Sequence, residues 1–285
     1  MACSSLNALI AHAARASSAP GGLDAGVMTI QYATPLIAAL LLRLIKLREA
    51  HPTLFTFATK DGLANLAAGV VRAGGSLGEA RVIMRTFGML PMLDWLLKLH
   101  PKPISALIKF FVRPSLANLD IRNPKVLDTI RVLLLSGFYL GEHVAWLGTK
   151  GVLPLSPETI GKAAVFSVRS WAVDVAITVT RLSLQYKSLT ARTRALKASS
   201  KKTEGYEVAA SDEKAGDSSA ETSAAAALKA EWATWQQNAM VNFGWIPLTI
   251  HWSKPGGLWT NPLITAVIGS YVAYAKSYGV WQRSA

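Results

Sequence analysis

Residues 126–151, VLDTIRVLLLSGFYLGEHVAWLGTKG, decide how this chain is read. From Val126 to Leu147 the 22 residues are mostly Val, Leu, Ile, Phe, Tyr and Trp. At about 1.5 Å rise per residue, a helix of that length crosses a hydrocarbon core of roughly 30 Å. Asp128 and Arg131 lie near one end and Lys150 just past the other, with Trp146 at interface depth. Gly137 and Gly141 form a GxxxG pair, which lets another helix approach closely within lipid. Glu142 and His143 follow directly, so the expected helix–helix and self-association residues are Gly137, Gly141, Glu142 and His143.

A buried helix of a large soluble protein has the same pattern, and composition separates the two. The chain has 285 residues, 51% of them apolar and 16% charged, with a net charge of +13. Soluble domains carry about 25% charged residues. Low charge with high apolar content points to a membrane, and the cation excess points to an anionic partner. The cations flank apolar segments, which favours anionic membrane lipids as partner and excludes nucleic acid. One cysteine, Cys3, rules out an internal disulfide, and five scattered histidines offer no metal-ligand spacing. No G-x-S-x-G, H-E-x-x-H, phosphate-binding or dinucleotide fingerprint occurs, so neither an enzyme nor a cofactor is expected.

The expected fold class is all-α: basic amphipathic helices, then two or more hydrophobic helices. Residues 1–22 are read as a flexible N-terminus ending at Gly21-Gly22, and 23–125 as a basic amphipathic helical region. Residues 1–125 hold 14 Lys and Arg against 6 Asp and Glu. The run from Leu23 to Arg48 is expected to lie in or on a core and to end at His51-Pro52. A face at Leu63, Leu66, Ala67 and Val70 is expected to stop at Gly74-Gly75, with Ser76 capping the next helix. In that next helix Leu77, Met84 and Phe87 form an apolar stripe beside Arg81 and Arg85. These five are the expected membrane-binding residues, the apolar three sinking into one leaflet and the cations meeting headgroups. Pro91 is expected to break the run before Leu93, Leu96 and Leu97, and a basic piece, residues 104–113, follows.

Residues 126–194 are read as the central hydrophobic helix and a charged apolar helix. The latter, 163–184, carries Asp174 and Arg181 two turns apart on one face, and either spans facing its bundle or lies in the interface. Residues 181–202 hold seven Lys and Arg and no acid, as a cytosolic juxtamembrane stretch does. Residues 195–230, rich in Ala, Ser and acids, are expected to be a disordered linker. Residues 231–285 are read as a C-terminal hydrophobic hairpin whose clearest span is 262–280. An even number of crossings with the basic loop in the cytosol places both termini there.

Four stretches then carry a resemblance. Ala80-Arg81 with Arg85 and Gly88 resembles an S-x-A-R-K-x-x-R-x-G-K helix, with Val82 and Met89 where that motif has cations. Glu142-His143-Val144-Ala145-Trp146 with Lys150-Gly151 resembles a D-H-x-x-W…K-x-G end, with Glu for Asp. Trp171 with Arg181, and Gln237-Asn238-Ala239 with Pro247-Leu248, Gly269-Ser270 and Trp281, complete the order. Between Leu23 and Trp281, the linker 195–230 excluded, the chain resembles the peroxisomal biogenesis factor eleven (peroxin-eleven) family. The resemblance implies residence in the peroxisomal membrane, self-association as a homo-oligomer or with related members, and membrane elongation before fission. It also implies recruitment of the organelle fission machinery; the alternative is a channel for small metabolites.

Overall fold

The structure, a computed structural model, describes residues 2–51, 59–112, 122–204 and 214–284. Its regular elements among those residues are all α-helices: α1 (Ala2–Ser18), α2 (Pro20–Ala50), α3 (Lys60–Thr86), α4 (Met89–Leu99), α5 (Pro103–Val112), α6 (Pro124–Thr149), α7 (Pro157–Glu204), α8 (Lys214–Ser253) and α9 (Pro262–Ser284). The all-α, membrane-type fold class expected from periodicity is the one observed. The chain divides into two compact units, residues 1–175 with 244–285, and residues 176–243.

In the first unit α2 packs against both α3 and α9. Small residues make this possible. On α9 Ala266, Gly269, Ala273, Ala275 and Gly279 are buried. A Cβ on Gly269 would clash with the ring of Tyr32, so the α2–α9 crossing needs glycine there. The hydroxyls of Thr29 and Ser277 meet across the same contact at 2.9 Å. Met28 and Val272 are fully buried at its centre. A fully buried side chain of this size contributes about 1.5–3 kcal/mol.

Several boundaries differ from expectation, each for a local reason. The segment expected as a flexible tail is α1, held by its far end: His12 Nε2 lies 3.0 Å from Ser284 Oγ, and Arg15 donates to the Ser284 carbonyl at 3.2 Å. Gly21 and Gly22 are in the first turn of α2, started by Pro20 at a position where no amide N–H is needed. Gly74 and Gly75 do not interrupt α3. A Cβ on Gly74 would clash with Thr34 on α2, so this glycine serves close helix approach and not a break. Ser76 is consequently inside the helix, its hydroxyl donating to the Arg72 carbonyl at 3.3 Å. The break comes at Phe87-Gly88, and Pro91 falls in the first turn of α4.

The second unit is an antiparallel pair formed by residues 176–204 of α7 and 214–243 of α8. Trp235 donates its indole N–H to the Leu182 carbonyl at 2.8 Å, and Trp232 donates to Thr193 Oγ1 at 3.0 Å. The Tyr186 ring lies 5.7 Å from Trp232 and 5.2 Å from Trp235. Arg192 and Glu231 make two hydrogen bonds, at 2.6 and 2.7 Å. Helix therefore covers 195–204 and 214–230 of the stretch expected to be disordered; residues 205–213 lie outside the described residues. Alanine at 224–227 has the highest helix propensity of any residue, and this outweighs the polar composition.

Candidate spans also move. By length and hydropathy, α2 and residues 157–198 of α7 are apolar enough to cross a membrane. The stretches expected as spans were 126–147 and 262–280, and α2 was expected on a core. Arg131, Glu142 and His143 dilute the hydropathy of α6, whereas the interior of α2 from Ala33 to Leu42 carries no charge.

Candidate functional site

Helix α3 carries the two cations expected at lipid headgroups, and both point into the first unit. Arg81 is buried, 7% exposed. Its Nε donates to Asp24 Oδ1 and its Nη1 to Gln31 Oε1, each at 2.8 Å. Arg85 forms a bidentate pair with Glu142: Nε to Oε2 and Nη2 to Oε1, both 2.7 Å. Such forked pairs are the strong form of the charge-assisted hydrogen bond. This corrects the placement of Arg81 and Arg85: they tie α3 to α2 and α6. Leu77 and Met84 are half-buried with them, and of the expected apolar three only Phe87, at 71%, is largely exposed.

The small-residue pair on α6 also finds its neighbour within the chain. A Cβ on Gly141 would come within 3.0 Å of the Ala163 carbonyl oxygen and of Ser167 Cβ on α7. One on Gly137 would lie 3.3 Å from Ser170 Oγ. Ser167 donates to the Phe138 carbonyl at 2.7 Å, sealing the approach. Expected self-association residues thus lie against α7 of the same protomer. His143 Nδ1 is 2.6 Å from the Tyr139 carbonyl, which can only accept, so Nδ1 bears a proton, and Nε2 lies 2.8 Å from Thr86 Oγ1. Asp174 accepts from Arg131 Nε at 2.8 Å. The Arg131 guanidinium also lies 5.7 Å from the centre of the Trp95 ring, joining α6 to α4 and α7.

Several helices also carry exposed apolar rows. On α4, which has no buried residue, Leu90 (63%), Leu93 (49%) and Leu97 (51%) recur at i, i+3 and i+7. On α5, Ile104 (74%), Ile108 (55%) and Val112 (70%) recur at i, i+4 and i+8. Each set is a single stripe on its helix. Lys98 and Lys102 flank the stripes in exposed positions; Lys98 is paired with Asp94 at 2.6 Å. His100 caps α4, with Nε2 2.8 Å from Thr129 Oγ1. Partial burial, then the nearby Lys125 charge, holds its pKa below the ordinary imidazole value. The exposure of the α4 stripe was missed in the sequence, where Leu93, Leu96 and Leu97 read only as a continuing helix. Proline at 91, 101 and 103 was the available signal, because it cuts the segment into pieces too short to bury a second face.

Helix α9 adds an outward row, Ile264, Val267, Tyr271, Tyr274, Tyr278 and Trp281, spaced alternately by three and four residues. Its opposite face is the one packed on α2.

A family model described as peroxisomal biogenesis factor 11 matches residues 10–234. No curated protein and no solved structure matches the chain. The matched span takes in the Arg81 and Arg85 helix, the Glu142-His143 end of α6 and most of the second unit, and stops short of α9. Apolar helices fit for membrane insertion agree with peroxisomal association. The chain belongs to the peroxisomal biogenesis factor 11 family, a family of peroxisome biogenesis and proliferation factors rather than enzymes.

Proposed function

We propose that this protein elongates the peroxisomal membrane ahead of fission by sinking α4 and α5 into one leaflet. The observation that carries this reading is the pair of exposed apolar stripes, Leu90/Leu93/Leu97 and Ile104/Ile108/Val112, on two short consecutive helices. A helix whose apolar face enters about 5–10 Å into one leaflet expands that leaflet and curves the sheet. The α2 helix and the apolar part of α7 hold the chain in the bilayer, so the wedge needs little affinity of its own. Lys98 and Lys102 sit where anionic headgroups would meet them, at about 1 kcal/mol per cation. Self-association with further copies or related members uses the α9 row, whose spacing matches the seam of paired helices. Coupling to the fission machinery follows elongation, and two crossings place both termini in the cytosol.

The test uses the full chain in cells lacking their own copy. Leu90→Asp with Ile104→Asp interrupts both stripes. Each position lies in the first helical turn, where an acid is tolerated by the helix dipole. The expected result is retained peroxisomal localisation with loss of elongated organelles. Undiminished elongation removes α4 and α5 from the mechanism.

A further inference from the structure

The first unit encloses a cavity of about 960 Å³, within the range of roughly 300–1,000 Å³ typical of small-molecule sites. Its lining is divided by chemistry. Helices α2, α3 and α9 contribute Asp24, Gln31, Tyr32, Arg81, Arg85 and Lys276. Helices α6, α7 and α8 contribute Leu135, Phe138, Val168, Trp171, Trp245 and Trp252, besides Tyr139 and Glu142.

The charges do not balance. Glu142 offers both carboxylate oxygens to Arg85 and neutralises it. Asp24 gives one oxygen to Arg81 at 2.8 Å and the other to Lys276 at 2.8 Å, so two cations share one acid. Arg81 also donates to the neutral amide oxygen of Gln31 at 2.8 Å and bonds the Tyr32 side chain, neither of which carries a charge. One positive charge is left over, on a Lys276 side chain that is 30% exposed and faces a cavity walled elsewhere by rings. A monoanion complements that surplus charge. The aromatic wall, with Trp171 and Trp245 ring centres 4.6 Å apart, gives an apolar tail its surface.

We infer that this cavity binds an amphiphile with one acyl chain and one anionic head, the head at Lys276 and Arg81 and the chain along Phe138, Trp171 and Trp245. A fatty-acid carboxylate and a lysophospholipid phosphate share this chemistry. The inference is independent of the wedge, since none of these residues belongs to the α4 and α5 stripes.

The experiment titrates the full chain in neutral detergent with dibrominated stearate, whose bromines quench tryptophan on contact. The matching lysophosphatidate and stearyl alcohol are run in parallel. Expected is saturable quenching by both anions, with the alcohol about tenfold weaker for want of the charge-assisted contact. The tighter anion identifies the source. Lys276→Met should lower the anions to the alcohol's affinity, while Val168→Phe, which puts a ring into the cavity beside Trp171, should weaken all three with helicity unchanged. Equal affinity of alcohol and anions overturns the proposal, as does undiminished quenching in a folded Val168→Phe. If Val168→Phe does not fold, the Lys276→Met comparison decides alone, because that side chain reaches solvent and Asp24 keeps its bond to Arg81.

Discussion

Removing the carboxylate of Glu142 separates two opposed assignments of Arg85, internal anchor or headgroup contact. The pair joins residues 57 apart through two 2.7 Å bonds. Its side chains are 22% and 20% exposed, so about four-fifths of each is out of water. Fully buried pairs cost about 3–5 kcal/mol when one partner is removed, and exposed pairs contribute about 0–1 kcal/mol. Partial access to water places Glu142→Gln at about 2–3 kcal/mol, most of it the cost of leaving the guanidinium half-buried without its anion. Arg85→Gln should cost a similar amount by stranding the carboxylate. In a chain of this size each kcal/mol lowers the melting temperature by about 2–4 °C, so either single variant should melt roughly 5–10 °C lower. Thermal unfolding of the full chain in mild detergent, followed by circular dichroism, reads this. The double variant should fall short of the sum by about 1–2 kcal/mol, the signature of direct contact. The reasoning is refuted if Arg85→Gln leaves the melt unchanged while weakening binding to anionic vesicles, or if the two losses add fully.

Three other outcomes follow from named contacts. Gly141→Val puts methyl groups against the Ala163 carbonyl oxygen, which cannot rotate away; overpacking of this kind costs about 1–3 kcal/mol, visible as a lower melting temperature. In the second unit Arg192 beside Glu231 holds the Glu231 carboxyl below its ordinary value. Its contribution is present above the ordinary glutamate range and is lost as pH falls through the lowered value, so Trp232 and Trp235 emission should shift on acidification, and Glu231→Gln should flatten that response. The depressed His100 value has the same sign at a higher pH: burial favours the neutral ring, so the α4–α6 contact should weaken as pH drops below the ordinary imidazole value, and His100→Asn should remove that dependence in a melt at pH about 5 against about 7.5.

The helical class, the membrane association and the family were all legible in the sequence, because each depends on local spacing or local composition. Apolar residues at three- and four-residue intervals encode a helix whatever surrounds it. Low charge content with high apolar content is a property of composition and needs no packing to be read. Motif order along the chain carried the family without any packing being known. The ends of α2 at His51 and of α6 at Asn123-Pro124 lie where proline and capping chemistry put them. Glycine was the least legible residue. At 74 and 75 its weak helix propensity suggested a break, yet Gly74 is there because Thr34 leaves no room for a Cβ. Arg81 and Arg85 look identical on a helical wheel to cations facing headgroups. Only the fold brings Asp24 and Glu142 to them, each across 57 residues, and Lys276 to Asp24 across 252. No spacing rule reaches that far, because partners on different helices are chosen by packing. With those cations paired inside, α4, α5 and α9 each keep an exposed apolar row. Periodicity therefore determined that amphipathic faces exist, and tertiary packing decided which of them remain exposed.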